Sequence, residues 1–180
     1  MRIVKEDCCG LIIDIQERLL PHMHDGESLL RNTQILINGL QALNVPLLLT
    51  EQYTKGLGFT VPPVKEILQN TDSIEKIAFS CCDEPSFATR LHNLNKKFVI
   101  IAGIEAHVCV LQTAIDLKDK GFIPVVIEDC VSSRKPSDKA VAMHRMAASG
   151  VIISTYESIL FELCRYAGND TFKVISKLVK

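Results

Sequence analysis

The sequence predicts an α/β fold, a doubly wound three-layer sandwich with a mostly parallel sheet of about six strands. Two observations carry this. First, short β-branched apolar runs such as 98–102 (Phe-Val-Ile-Ile-Ala) carry no polar face, so they read as strands buried on both sides, as in parallel sheets. Second, these runs alternate along the chain with amphipathic stretches of helical period, the pattern of right-handed βαβ units. The 180 residues suit one domain, 1–180, with no internal repeat and no linker.

The elements follow in order. Residues 9–15 (Cys-Gly-Leu-Ile-Ile-Asp-Ile) read as a buried strand broken by one carboxylate, Asp14. Residues 27–43 form an amphipathic helix that Asp25 or Ser28 could cap. Pro46 opens a strand to Thr50, and 51–65 is a glycine- and proline-rich loop, long enough to be a lid or binding loop. Residues 73–80 alternate as a strand containing Lys76, and Pro85 opens a helix to about Leu94. After the 98–102 strand, Gly103 ends the run and a helix starts near His107, placing Cys109 in its first turn. A strand at 122–128, a loop at 129–133, a helix at 135–149, a strand at 151–155 and a helix at 156–167 complete the core. A short terminal helix follows Asn169.

Composition excludes several classes. Apolar residues make up 47% and the net charge is −1, so no nucleic-acid partner is expected. The apolar runs are far shorter than the ~20 residues of a membrane span, so no membrane partner is expected. The first residues, Met-Arg-Ile-Val-Lys-Glu-Asp, lack signal-peptide character, and Ser176-Lys177-Leu178 is followed by Val179 and Lys180, so it is no terminal peroxisomal address. Seven cysteines without zinc-type spacing point to a reduced, cytoplasmic location. The adjacent pair Cys81-Cys82 reads first as packing and second as a redox pair.

Three residues at or near strand carboxyl ends stand out: Asp14, Lys76 and Cys109. Buried-strand carboxylates and lysines are costly unless partnered. A carboxylate that takes the thiol proton, a lysine that lowers the thiol pKa and a thiolate that attacks a carbonyl together make a cysteine hydrolase. The helix's amide end should also favour the thiolate. Each residue also has a plainer reading: a turn aspartate, a solvated edge-strand lysine and a packed cysteine. A cysteine phosphatase would need an arginine six residues after the cysteine, and Ile115 stands there. A dinucleotide fold would need Gly-x-Gly-x-x-Gly after the first strand, which Asp14-Ile-Gln-Glu-Arg is not.

Leu-Ile-Ile-Asp14-Ile-Gln16, Glu75-Lys76-Ile-Ala-Phe79-Ser80 and Gly103-Ile-Glu-Ala-His-Val-Cys109 resemble, in order, three motifs of the isochorismatase-like or cysteine hydrolase superfamily. The resemblance spans residues 9–164. It implies Cys109 as nucleophile, Asp14 as general base and Lys76 as electrostatic partner. It also implies a cis peptide between Ile104 and Glu105 and main-chain amides there that face a developing oxyanion. By the same resemblance the substrate is a small molecule cleaved at a C–N bond, and the protein is a homo-oligomer. Gln16, Gln52, Tyr53 and His107 are candidates for the substrate pocket, with capping or packing the plainer reading of His107. Metal-dependent nicotinamidases carry Asp-x-His after the second strand, where this chain has Glu51-Gln52-Tyr53, so no metal and no cofactor are expected. A cysteine, where enzymes acting on isochorismate often carry glycine, argues against that substrate. The chain instead resembles a metal-free subgroup, which leaves a second reading open: a non-catalytic binding or scaffold protein that keeps the fold.

Overall fold

The computed structural model describes residues 1–68 and 71–180. Its elements are β1 (Cys8–Ile13), α1 (Gly26–Ala42), β2 (Leu47–Gln52), the single-turn helices α2 (Thr54–Leu57) and α3 (Pro62–Lys65), and β3 (Ser73–Lys76). They continue as α4 (Pro85–Leu94), β4 (Phe98–Ile104), α5 (Leu111–Asp119), β5 (Ile123–Ser132), α6 (Pro136–Ala148), β6 (Ile152–Ser154), α7 (Tyr156–Cys164) and α8 (Asp170–Leu178). Among the described residues the six strands form one parallel sheet in the order β3-β2-β1-β4-β5-β6. The expected α/β sandwich is therefore present, with a sheet that is wholly parallel.

The period of two along each strand divides the core. In β1, Cys8 and Ile12 face the layer of α1, α7 and α8, while Cys9, Leu11 and Ile13 face α4, α5 and α6. In β4, Phe98, Ile100, Ala102 and Ile104 face the first layer, and Val99 and Ile101 the second. All seven β4 residues are buried, which explains why this strand shows no polar alternation in the sequence. Chain order reverses between β1 and β4, so the crevice at their carboxyl ends is the topological switch point.

Several boundaries differ from the sequence reading, each for a tertiary reason. The 73–80 strand ends at Lys76, because only four residues find partners on β2. Residues 129–132 belong to β5 rather than to a loop: the strand resumes pairing with β4 at Val131 after a register shift that skips the stretch between Val126 and Val131. The 51–65 loop is shorter than expected, since Glu51 and Gln52 extend β2 and two helical turns follow. Asp25 precedes α1 with left-handed backbone, φ 49°, and its side chain does not cap the helix.

Gly103 lies inside β4 rather than ending it. Its φ is +142°, and a Cβ there would stand 2.2 Å from the Ile13 carbonyl oxygen, so only hydrogen lets β4 lie this close to β1. Gly103→Ala is expected to cost about 2–5 kcal/mol of unfolding free energy in a urea titration, from strain and overpacking together.

Burial also sets a pH limit. It pushes the thiols of Cys8, Cys9, Cys82 and Cys109 from 9.0 up to about 12, and Cys81 up to about 11. Unfolded thiols lose protons near pH 9 while folded ones keep them, so the folded state binds more protons above that pH and stability falls. The melting temperature is expected to hold below about pH 9 and to drop steadily as pH rises from 9 towards 12, as thermal scans under reducing conditions would show.

Candidate active site

Asp14 is the residue immediately after β1, not a residue within it. It adopts the left-handed region, φ 52°, which an aspartate tolerates better than most side chains. Its amide donates to the Thr50 carbonyl at 3.2 Å, and its own carbonyl accepts the Gln16 amide at 2.8 Å. The turn points the carboxylate into the space between the ends of β1 and β2. There Oδ1 accepts the Thr50 hydroxyl at 2.8 Å and Oδ2 accepts the Lys76 ammonium at 2.7 Å.

Lys76 ends the edge strand β3, yet its side chain is fully enclosed. The solvated edge-strand reading is thus replaced by an inward one. An ammonium has three donor hydrogens and needs acceptors around it. Besides Asp14 it reaches Gln52 Oε1 at 2.6 Å and the carbonyls of Ala78 and Phe79 at 3.2 and 3.1 Å. The chain after β3 folds back over the charge, which leaves Ile77 and Phe79 turned outward and exposed.

Cys109 lies beyond the switch point. The Ile104–Glu105 peptide is cis. A π-helical turn, Ala106–Val110, then leads into α5, and the Val110 amide reaches back to the Glu105 carbonyl at 3.2 Å. The widened turn replaces the ordinary α-helical first turn that the sequence suggested. Cys109 and Asp14 stand near enough for each to shift the other's protonation, the Asp14 charge adding to burial in raising the thiol. Cys109 retains 6% exposure as a residue, whereas Asp14 retains none.

The electrostatics correct one expectation. Cys109 is not acidified: burial and then the Asp14 charge push its thiol up to about 12, and Lys76 offsets only part of this. Burial likewise raises the Asp14 carboxyl above its ordinary range, against the pull of Lys76. Burial works to discharge Lys76, but the Asp14 charge and its hydrogen bond work against it and hold the ammonium protonated. The resting site therefore holds a cation, a carboxylate of raised basicity and an intact thiol.

The pocket candidates divide. Gln16 is fully buried: its Nε2 donates to the carbonyls of Gln52 at 3.0 Å and Gly58 at 2.6 Å, and its Oε1 accepts the Gln52 amide at 2.7 Å. Gln52 spends its side chain on Lys76 and on the Ile77 carbonyl, 2.6 Å away. Both are braces rather than substrate groups, because buried amides must satisfy their own hydrogen bonds. Tyr53 is about half exposed beside Gly56, and His107 Nδ1 lies 2.9 Å from Ser133 Oγ. Glu105 pairs with Arg134, Nε to Oε1 2.7 Å. Sequence reasoning missed Thr50, whose only signal was a hydroxyl closing an apolar run, and the place of Cys81, 3.8 Å from Thr50 Oγ1. Glu51 Oε1 accepts from the amide and the hydroxyl of Thr60, both at 2.7 Å. Among the described residues no three His, Cys, Asp or Glu side chains converge as a metal cluster would require.

A doubly wound α/β sandwich with a buried acid, amine and thiol gathered at its switch point defines a recognisable class. The chain belongs to the isochorismatase family: the model of the Isochorismatase domain matches residues 8–158. Isochorismatase family protein 1B of Dictyostelium discoideum is 36% identical over 99% of this chain and 89% of its own length. The secreted isochorismatase effector Isc1 of Phytophthora sojae is 34% identical over 99% and 87%. Among solved structures, MAR1 ribonuclease from Caenorhabditis elegans superposes with a TM-score of 0.94 at 36% identity, covering 99% of this chain and 92% of that one. YcaC from Pseudomonas aeruginosa, solved with hexane-2,5-diol and covalent acrylamide, gives 0.92 at 27%, covering 98% and 91%. YcaC from Escherichia coli, described as an octameric hydrolase of unknown specificity, gives 0.93 at 26%, covering 99% and 89%.

Removing either member of the ion pair leaves a buried charge without its partner. Asp14→Asn and Lys76→Met are each expected to lose about 3–5 kcal/mol. The double variant should lose clearly less than the two combined, and a urea-unfolding double-mutant cycle measures the difference.

Proposed function

We propose that this protein is a small cysteine hydrolase that cleaves the C–N bond of a small amide through a thioester at Cys109. The observation that carries the reading is the 2.7 Å Lys76–Asp14 pair with the Cys109 thiol near it. Asp14 takes the thiol proton as sulfur attacks the carbonyl carbon. The site then still holds one anion beside one cation, so the transfer adds no uncompensated charge. Main-chain N–H groups near Glu105 and Cys109, where the Ile104–Glu105 turn runs into a helix start whose amides lack intrahelical partners, would receive the oxyanion. Asp14 returns the proton to the departing nitrogen, the C–N bond breaks, and water hydrolyses the thioester with Asp14 again as base.

The acrylamide carried by the Pseudomonas aeruginosa relative supports a nucleophile able to react with an amide-bearing electrophile. The octameric relative supports self-association, and seven unpaired cysteines suit a reducing compartment such as the cytoplasm. No described helix is long and apolar enough to cross a membrane. A ribonuclease reading, prompted by the Caenorhabditis elegans relative, fits less well, because the net charge is −1 and a polynucleotide partner calls for a basic face. A non-catalytic scaffold remains the competing reading.

Incubation with acrylamide followed by peptide mapping should place the adduct on Cys109. Labelling of the partly buried Cys82 with Cys109 untouched would instead favour the scaffold. Ammonia release from a panel of small amides should disappear in Cys109→Ala, with an RNA substrate run in parallel. The labelling rate should rise with pH through the raised Asp14 pKa, because only ionised Asp14 can take the proton, and then level off. Asp14→Asn should remove that limb and leave only the rise with ionisation of the thiol itself, at a pH below about 12, because the Asp14 charge that helps raise the thiol is gone while Lys76 remains.

A further inference from the structure

We infer that Cys81 is a resolving partner for Cys109: a peroxide oxidises Cys109 to a sulfenic acid, and Cys81 captures it as an intramolecular disulfide that reversibly closes the site. The inference rests on Cys109 being the reactive thiol of the proposed hydrolase, and it adds a modification site to that reading.

The geometry singles out this pair among the seven cysteines. Cys81 opens a short 3-10 turn, Cys81–Asp83, just past the segment that wraps Lys76. Its amide donates to Thr113 Oγ1 at 2.9 Å. Thr113 stands four residues beyond Cys109, on the same face of the helix, so Cys81 is moored one turn below the candidate nucleophile. Its sulfur lies 3.8 Å from Thr50 Oγ1, and that hydroxyl donates to Asp14 Oδ1 at 2.8 Å, the carboxylate near which Cys109 stands. Cys81 and Cys109 belong to the same apolar cluster under α4, α5 and α6.

The remaining cysteines lie elsewhere. Cys8 and Cys9 open β1, roughly 16–20 Å of extended chain before Asp14, at the opposite end of the sheet. Cys130 and Cys164 pack in the other layer. Cys82, the neighbour of Cys81, lies beside the Phe87 and Leu91 side of α4 in a cavity of about 220 Å³ that also includes Lys120. Cys81 has no exposed surface, so no thiol reagent or oxidant in bulk solvent reaches it directly. An electrophilic sulfur formed on Cys109 is the partner its position offers.

The chemistry balances. The Cys109 sulfur, its proton taken by Asp14, attacks one oxygen of the peroxide. The O–O bond breaks, a sulfenic acid forms, and the departing oxygen leaves as water when peroxide is hydrogen peroxide. Cys81 sulfur then attacks the Cys109 sulfur. The S–S bond forms, the S–O bond breaks, and the hydroxyl leaves with the Cys81 proton as a second water. A dithiol reductant reverses the product. Without Cys81 the sulfenic acid would persist, and further peroxide would carry it to sulfinic acid, which such reductants do not recover.

The test uses the full chain. It is treated with hydrogen peroxide, its free thiols are blocked, and the unreduced digest is mapped. The expected result is a Cys81–Cys109 cross-linked peptide, loss of acrylamide labelling at Cys109, and return of that labelling with dithiothreitol. In Cys81→Ala, peroxide should leave sulfinic acid on Cys109 and labelling should not return. A Cys81–Cys82 or intermolecular product, sulfinic acid on Cys109 of the unaltered chain without a cross-link, or full recovery in Cys81→Ala would overturn the inference. If Cys81→Ala does not fold, Cys81→Ser replaces it, and the map of the unaltered chain decides alone. Labelling of Cys109 without any cross-link defeats only the switch, whereas a Cys109 that never labels defeats the hydrolase reading as well.

Discussion

The Lys76–Asp14 pair is the constraint around which this end of the molecule is arranged, and it acts across three strands. Lys76 comes from the edge strand β3, Asp14 from the end of β1, and β2 between them supplies Thr50 to the acid and Gln52 to the amine. A buried ion pair is poor evidence of stability, since desolvation offsets much of the attraction. Its demands on its surroundings are strict nonetheless: every remaining donor and acceptor must be met. Those demands account for several local features. The carbonyls of Ala78 and Phe79 turn inward to the ammonium, Gln52 is held by Gln16, and Gln16 in turn ties the loop at Gly58.

Charge counting explains the state of the thiol. The site contains two acids, Asp14 and Cys109, and one cation, Lys76. A single ammonium compensates a single anion in a low-dielectric setting, and Asp14 already occupies that role. The thiol therefore keeps its proton at rest, and a thiolate becomes affordable only when Asp14 accepts that proton. The intuition that a nearby lysine acidifies a cysteine is sound for an isolated pair, and it fails here because the lysine's charge is already shared. The proton is thus held between carboxylate and sulfur, which is the arrangement a base and a nucleophile need.

Much of this was legible in one dimension. The β4 run is apolar throughout because both its faces are covered, and that signal is local. Asp14 and Lys76 were visible as polar groups out of place among apolar neighbours, and Cys109 as a thiol just past a strand and a glycine. All three fall within residues 8–158, the stretch that the Isochorismatase domain model matches. Less legible were the limits of β3 and β5, which depend on how many residues a neighbouring strand can pair. Gln16 and Gln52 looked like polar groups available to a ligand, because nothing in their immediate sequence shows that each is the other's partner. Cys81 gave no sign of its site, since its bonds run to Thr50 and Thr113, about thirty residues away in either direction.

By itself, then, the sequence determined the alternation of strands and helices, the parallel sheet and the identity of the acid, amine and thiol. Each follows from side-chain periodicity or residue type, which are properties of neighbours along the chain. Only the tertiary structure decided that the edge-strand lysine points inward, that the thiol keeps its proton, that two glutamines serve as braces and that a second sulfur stands nearby. Desolvation and hydrogen-bond pairing depend on groups brought together from distant parts of the chain, and no local pattern records them.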